Sequence, residues 1–260
     1  MKRVLTVQDL SCVGKCSLTV ALPVLSAMGC SCSALPTAVL SAHTAFPDPY
    51  VRELTADMRK HIDCFRSIGA EFDAILVGYL SGAAQARQVE YLWDRFDALR
   101  ILDPAMGDGG KLYSGITAGH IVAMEQLCKK ADVLLPNVTE ACLLCGVEYG
   151  ETMPRDRYEA LVEMLLRKGC RQVVLTGVSL DMGMTGFLCS DGGFYQTRLL
   201  SGHYHGTGDL FAAVLTGGLL RGESLYQAAE TAAKFVEKAI RETGGYSKFG
   251  ITFEPLLKQL

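Results

Sequence analysis

The sequence predicts an α/β protein: a mostly parallel sheet covered by helices on both faces, with an antiparallel hairpin at one edge. Three observations carry this expectation. Short apolar runs alternate with longer segments of helical period from residue 3 to residue 176, and strands alternating with helices build a parallel sheet. The rhythm then breaks, and two strand-like runs, 185–189 and 194–199, flank Asp191-Gly192-Gly193, which reads as a hairpin turn. At 260 residues the chain can bury a full core, and an open sheet of this size commonly makes one domain, here 1–260.

Residues 3–7 read as a short buried strand, with 8–14 as the loop at its C-terminal end, the edge at which open α/β sheets bind ligands. A helix follows over 14–28, ended by Gly29, and then a strand over 30–35. Residues 36–49, with three prolines, His43 and Thr44, have the composition of a loop. Val51, Leu54, Met58, Ile62 and Phe65 recur on one face of a helix over 50–68. A strand over 73–77 ends at Gly78-Tyr79, a helix covers 83–96, and a strand over 100–103 closes on the carboxylate of Asp103, followed by Pro104. Gly107-Asp108-Gly109-Gly110 forms a flexible loop before a helix near 116–130. The strand 131–135 leads through Pro136 and Asn137 into a short helix ended by Gly146. A helix over 155–168 and a strand over 171–176, stopped by Gly177, complete the parallel part, and after the hairpin two helices, 209–220 and 224–243, close the chain.

Composition narrows the functional classes. Hydrophobic residues make up 49% and charged residues 20%, as in a soluble globular protein. A formal charge of −3 and the lack of any Lys/Arg run give no reason to expect nucleic-acid binding. The longest weakly polar run, 18–30, contains Pro23 and is too short to span a bilayer. The apolar residues after Met1-Lys2-Arg3 are interrupted by Gln8 and Asp9, unlike a secretory leader, so the ten cysteines are expected to be reduced in a cytoplasmic protein. Cys142-Leu143-Leu144-Cys145 has no second pair and no nearby His, which disfavours a zinc site.

The stretch richest in chemistry is His205-Gly206-Thr207-Gly208-Asp209, followed directly by the apolar run Leu210-Phe211-Ala212-Ala213-Val214-Leu215. Glycines before a helix-like run place unpaired N–H groups and the positive end of the helix dipole where a phosphate can meet them. Asp209 in that turn reads in two ways: as a base that takes a proton from a hydroxyl attacking a phosphoryl group, or as a residue that caps the helix. Other polar residues stand at strand ends: Asp103, Asp108, Asn137, Glu140, Thr176 and Gly177. Carboxylate and amide oxygens are the ligands Mg²⁺ prefers, while the bland alternatives are a capping box for Asn137 and Glu140 and a turn before proline for Asp103. The familiar nucleotide motifs fail. Gly14-Lys15 resembles the end of a P-loop, but Asp9 holds the first glycine position and Cys16 the Ser/Thr position, and no strand leads into GxGxxG.

Several motifs resemble one family in order and spacing, from about residue 2 to residue 244. Gly206-Thr207-Gly208-Asp209 resembles the GxGD turn of the ribokinase-like superfamily, and Asn137-Val138-Thr139-Glu140 its NxxE element. Asp103-Pro104-Ala105-Met106-Gly107-Asp108 is similar to the DPVMGD of vitamin B6 kinases, and Leu112-Tyr113 continues that match. Gly78-Tyr79-Leu80 resembles their GYLGS, and Ser41-Ala42-His43-Thr44 the SNHT of their substrate loop. The chain thus looks like a pyridoxal kinase of the ribokinase-like superfamily.

The resemblance implies a three-layer α/β/α sandwich and transfer of the ATP γ-phosphoryl group to the 5′-hydroxymethyl of a B6 vitamer. It implies that Asp209 is the base and that Gly206 and Gly208 belong to the anion hole. Asp103, Asp108, Asn137, Glu140, Thr176, Gly177 and Thr207 then line the ATP site, with Glu140 and Asp108 toward Mg²⁺. Asp9, Ser11, His43, Thr44 and Tyr79 surround the ring. ATP and Mg²⁺ are the implied cofactors, K⁺ is a further candidate, and the implied assembly is a homodimer. One segment departs: Gln8-Asp9-Leu10-Ser11 replaces the Gln-Ser-His of B6 kinases and is closer to the Asp-Pro-Ser of hydroxymethylpyrimidine kinases. Three alternatives follow: such a kinase, favoured by Asp9; a sugar kinase, disfavoured because the length for a β-sheet lid is missing; and a catalytically silent B6-binding protein, disfavoured by an intact Asp209 and Glu140. His205 lies outside the core motif and is assigned no role.

Overall fold

The computed structural model describes residues 1–202 and 204–260. Its strands are β1 (Arg3–Ser11), β2 (Ser31–Leu40), β3 (Val51–Glu53), β4 (Ala74–Val77), β5 (Leu99–Leu102), β6 (Gly107–Asp108), β7 (Lys111–Leu112), β8 (Val133–Leu134), β9 (Gln172–Val178), β10 (Met184–Cys189) and β11 (Phe194–Arg198). Its helices are α1 (Leu18–Ala27), α2 (Thr55–Ser67), α3 (Ala83–Trp93), α4 (Ala118–Cys128), α5 (Val138–Cys145), α6 (Arg155–Arg167), α7 (Thr207–Leu220) and α8 (Leu225–Thr243), followed by a 3-10 helix, Glu254–Gln259. Nine strands form one sheet in the order β11-β10-β9-β8-β5-β4-β1-β2-β3, parallel from β9 to β2 and antiparallel at both edges.

Both faces of the parallel strands are apolar because both are covered. Leu5, Val7, Ile75, Val77, Leu102 and Leu134 face a cluster built with Met58, Ile62, Val89, Leu127 and Leu165 from the helices α2, α3, α4 and α6. Val4, Ala74, Leu76, Ile101 and Val133 face Val24, Leu210, Val214, Ala229 and Phe235 from α1, α7 and α8. Adjacent residues of one strand thus feed two cores, as the two-residue repeat of a strand requires. β1 is the point where the strand order reverses, with β2 on one side and β4 on the other. In open α/β sheets the ligand crevice lies outside the strand ends at that point. Val7 pairs with Val77, so Gln8 and Gly78 lie side by side at this crevice.

The structure corrects several boundaries. β1 does not end at Val7: it runs through Gln8 and Asp9 to Ser11 because β2 continues beside it, with a register shift between Gln8 and Leu10. Residues 36–40 of the expected loop 36–49 are therefore strand, and Pro36 is tolerated because β3 pairs only with Ala38, Val39 and Leu40 and leaves the outer side at Pro36 open. The expected helix 50–68 starts only at Thr55, since Val51, Arg52 and Glu53 form the edge strand; Val51 is 47% exposed, whereas Met58 and Ile62 are fully buried. Gly107-Asp108-Gly109-Gly110 is an ordered hairpin, not a flexible loop: Gly107 pairs with Leu112 and Asp108 with Lys111. Gly177 does not stop β9. At φ +73° it is the extra residue of a bulge, passed over between Thr176 opposite Phe187 and Val178 opposite Gly186. Residues 14–17 precede α1 rather than belong to it, and the 3-10 helix was not expected. No helix among the described residues is long and apolar enough to cross a membrane.

Candidate active site

The turn before α7 meets the crevice. Gly206 is the N-cap of α7 with φ +87°, and a Cβ built there would lie 2.4 Å from the Lys15 carbonyl oxygen. Backbone handedness and close approach both demand glycine. Gly208 differs, since a Cβ there meets nothing nearer than Asp103 Oδ2 at 3.8 Å; only an approaching ligand would require its bareness. Gly206→Ala is expected to lower unfolding stability by roughly 1–3 kcal/mol, the cost of a left-handed non-glycine residue, measured by denaturant titration. Gly208→Ala should leave stability within about 1 kcal/mol of wild type. Thr207 Oγ1 donates to the Tyr204 carbonyl at 3.2 Å, fixing the turn from inside.

Asp209 is the acid of the first turn of α7, three residues after the N-cap Gly206, and among the described residues its side-chain hydrogen bond leaves the helix. The carboxylate points to neighbours outside the helix. Gln8 Nε2, in the C-terminal half of β1, donates to Asp209 Oδ1 at 3.3 Å, and the Ser17 backbone N–H also stabilises the charged form. Burial still dominates and pushes the Asp209 carboxyl up to about 6, with repulsion from Asp9 adding to it. Gln8 is fully buried and its Oε1 has no protein partner among the described residues. Gly78 makes room for this amide, since a Cβ there would lie 2.5 Å from Gln8 Nε2.

A second group of acids lies under the same turn. Glu140 is 2% exposed, and its carboxylate accepts from the Met106 N–H and the Asn137 N–H, each at 2.9 Å. Asn137 Oδ1 accepts from the Glu140 N–H at 2.9 Å, and Asn137 Nδ2 donates to the Gly107 carbonyl at 2.8 Å. The capping box is therefore real, and it also ties α5 to the segment 106–107. Burial raises the Glu140 carboxyl to about 7, opposed by its N–H donors and supported by Asp108. Asp103 accepts from the Ala105 N–H at 3.2 Å, the turn its proline context suggests; burial, Glu140 and Asp209 hold it well above the carboxylate range. The Tyr113 phenol is raised by burial and by the charges of Glu140, Asp108, Asp103 and Asp209. Among the described residues none of these four acids has a Lys or Arg ion-pair partner, and no cluster of three or more His, Cys, Asp or Glu is arranged to hold a metal by itself. The donor set therefore suits a hard cation that keeps waters and shares the oxygens of a bound phosphate.

Beside these acids a cavity of about 250 Å³ is lined by Asp108, Tyr149, Gly177, Met184, Thr185 and Leu199, and Thr176 bridges to Asn137 at its strand end. On the other side of Asp209, Asp9 is 6% exposed, and its two oxygens accept from Ser17 Oγ at 2.6 Å and Ser11 Oγ at 3.2 Å. Burial raises its carboxyl. Tyr79, raised by burial and by Asp9, lies near it. His43 is 3% exposed: its Nδ1 accepts from the Ala45 N–H at 3.2 Å, and its ring lies 4.9 Å from those of Phe46 and His205. Gly14 is glycine for this ring, as a Cβ there would sit 2.0 Å from His43 Cδ2. Thr44 is exposed. The structure adds Gln8, Cys16, Ser17 and Tyr113 to the residues read from sequence; the Cys16 thiol is pushed up to about 12 by burial, Asp209 and Asp9. Gln8 stood one residue beyond the expected strand end, while Ser17 was hidden inside an expected helix. Cys142 and Cys145 are free thiols on α5 that belong to or pack on the core.

A doubly wound sheet whose crevice holds a glycine helix turn, an acid at that turn and a second group of acids is the arrangement that the resemblance to the ribokinase-like superfamily implies. Comparison with known proteins agrees. The family model described as phosphomethylpyrimidine kinase matches residues 22–252. A pyridoxine/pyridoxal/pyridoxamine kinase of Bordetella avium is 32% identical, covering 91% of this chain and 84% of its own. The pyridoxal kinase structure from Lactobacillus plantarum superposes with a TM-score of 0.91 at 33% identity, over 100% of this chain and 96% of the other. A Bacteroides thetaiotaomicron structure named for phosphomethylpyrimidine kinase, in a crystal form with pyridoxal, gives a TM-score of 0.93 at 35% identity, over 99% and 95% of the two chains. The chain belongs to the phosphomethylpyrimidine kinase family, together with the pyridoxal kinases of the ribokinase-like superfamily, and is a phosphotransferase.

Proposed function

We propose that the chain transfers the γ-phosphoryl group of ATP to the 5′-hydroxymethyl group of a B6 vitamer: pyridoxal, pyridoxine or pyridoxamine. The observation that carries this reading is Asp209, a carboxylate in the first turn of α7, just after the glycine N-cap, that accepts from Gln8 Nε2 at 3.3 Å at the sheet's crevice. Asp209 takes the hydroxymethyl proton as that oxygen bonds to the γ-phosphorus and the bond to the leaving ADP oxygen breaks. The N–H groups of Gly206, Thr207, Gly208 and Asp209 hold the charge on the transferring group. Thr176, Gly177, Thr207, Asp103 and Asp108 line the phosphate channel, and the 250 Å³ cavity takes the nucleotide. Asp9, Ser11, His43, Thr44 and Tyr79 bound the ring. Mg²⁺ fits the unpaired acids: Glu140, Asn137 and Asp108 would hold it through water and phosphate oxygens, and it would neutralise phosphate charge. K⁺ is a candidate second cation. The proposed assembly is a homodimer, to which Tyr50 and Val51, just before and at the start of edge strand β3 and 71% and 47% exposed, offer apolar surface.

The base assignment fixes the pH dependence. A base is active when deprotonated, so kcat/KM is expected to fall as pH drops through about 6, with Asp209 gaining its proton. A rate profile flat from pH 7 down to 5 would contradict it.

One observation favours a second acceptor, hydroxymethylpyrimidine: the carboxylate Asp9 in place of the B6-kinase serine. Against it, both Asp9 oxygens already accept from Ser17 and Ser11, so Asp9 is a weaker reporter of the ring than its position suggests. Competition of pyridoxal and hydroxymethylpyrimidine for ATP in one reaction separates the two. Preferential phosphorylation of pyridoxal is expected, and preference for the pyrimidine would replace the B6 reading.

A further inference from the structure

Gln8 breaks the pattern of the strand it sits on. Side chains of β1 alternate between the two faces of the sheet, so Val4, Thr6 and Gln8 share one face, and Val4 places that face against α1, α7 and α8. An interior parallel strand covered on both faces asks for apolar side chains there. Thr6 is accommodated because its hydroxyl donates to the Ser33 carbonyl at 3.2 Å. Gln8 is fully buried and only half satisfied: its Nε2 donates to Asp209 Oδ1 at 3.3 Å, whereas its Oε1 has no partner among the described residues. The reverse amide orientation would set an acceptor against the carboxylate, so the bond to Asp209 decides which end faces it. A buried amide with one end unpaired costs stability that an apolar side chain would not. The chain makes room for it all the same, since a Cβ on Gly78 would lie 2.5 Å from Gln8 Nε2 and 3.0 Å from its Cγ. A local rule broken at a cost, with the neighbours shaped around the exception, marks a position where geometry has a task.

We propose that Gln8 is a positioning residue for the Asp209 carboxylate: a rigid strand presents one amide N–H to one carboxylate oxygen and so holds the base toward the alcohol it deprotonates. This rests on the reading of Asp209 as the base. The platform is well fixed. Gln8 pairs in register with Pro36 of β2, the register shift falls only after it, and on the other side the Gly78 N–H donates to the Val7 carbonyl at 3.1 Å. Groups carried on strands keep their geometry better than groups on loops, and a base misplaced by an ångström loses much of its worth. The neutrality of the amide matters as well. A lysine in its place would also hold the carboxylate, but it would favour the charged form and weaken Asp209 as a base.

The test is a double-mutant cycle on the full chain: wild type, Gln8→Met, Asp209→Asn and the double variant, with Gly78→Ala beside them and melting measured for each. Gln8→Met keeps a side chain of similar length and removes the donor. It is expected to lose roughly tenfold in kcat with KM for ATP within about twofold, since a displaced base weakens the transition state and not nucleotide binding. It should melt close to wild type, the bond lost to Asp209 being offset by removal of an unpaired buried acceptor. Gly78→Ala reaches the same amide from outside: the atoms nearest its Cβ all belong to Gln8, and Gly78 lacks the positive φ that reserves a position for glycine. It should lower kcat in the same way, and it takes the place of Gln8→Met in the cycle should that variant melt far below wild type. In the Asp209→Asn background Gln8→Met is expected to cost less than about twofold, because a residue that acts through another then has nothing to act on. Wild-type kcat in Gln8→Met, or a loss that persists undiminished in the Asp209→Asn background, would overturn the positioning role while the base reading stood. Near wild-type turnover in Asp209→Asn would overturn the base reading, and the role of Gln8 with it.

Discussion

Asp209→Asn is expected to lower kcat by roughly 10²–10⁴, the worth of general base catalysis, while KM for ATP stays within a few-fold. The amide is nearly isosteric, and its oxygen can still accept from Gln8 Nε2, so the turn before α7 keeps its shape. What is lost is the ability to take the hydroxymethyl proton. Steady-state rates with ATP binding measured by calorimetry separate the two. Turnover within about tenfold of wild type would mean that another group takes the proton, or that the alcohol loses it only after phosphoryl transfer.

Glu140→Gln should disturb both fold and chemistry. Each Glu140 oxygen is needed as an acceptor, one for the Met106 N–H and one for the Asn137 N–H. An amide offers one acceptor and places an NH₂ against the other donor, leaving a buried N–H unsatisfied at a cost of about 1–3 kcal/mol. On the proposed role it also withdraws a negative charge from the Mg²⁺ environment, and the Mg²⁺ concentration for half-maximal activity should rise roughly 10–100-fold, the usual effect of an outer-shell change. Denaturant unfolding and an Mg²⁺ titration read the two effects independently. An unchanged Mg²⁺ dependence would restrict Glu140 to its capping role, which the hydrogen bonds establish by themselves.

The parallel core was legible because its strands are short apolar runs between helices, and each side of such a strand meets a helix layer. What escaped the sequence depended on partners far along the chain. β1 continues past Val7 through the polar Gln8 and Asp9 only because β2 pairs beyond them, and β3 looked helical because Val51 falls in the period of Met58 and Ile62. Gly107-Asp108-Gly109-Gly110 has loop composition, yet Lys111 and Leu112 fold back on it. The glycine turn was legible because Gly206 needs its left-handed φ whatever surrounds it. Gln8 and Ser17 were not, since their places beside Asp209 come from contacts across about two hundred residues of sequence, which no local pattern records. The hydrogen bonds bear unevenly on the capping alternatives. Asp209 bonds Gln8 outside its helix, whereas Asn137 and Glu140 form the capping box as well as the floor of the acid group.

The most direct measurement is the initial rate of phosphorylated product formed from pyridoxal and Mg²⁺-ATP by the purified wild-type chain at neutral pH, beside Asp209→Asn under the same conditions. The expected result is ATP-dependent pyridoxal 5′-phosphate from the wild type and a rate lower by at least about 10² from the variant. No pyridoxal 5′-phosphate from the wild type, or equal rates from both proteins, would contradict the account.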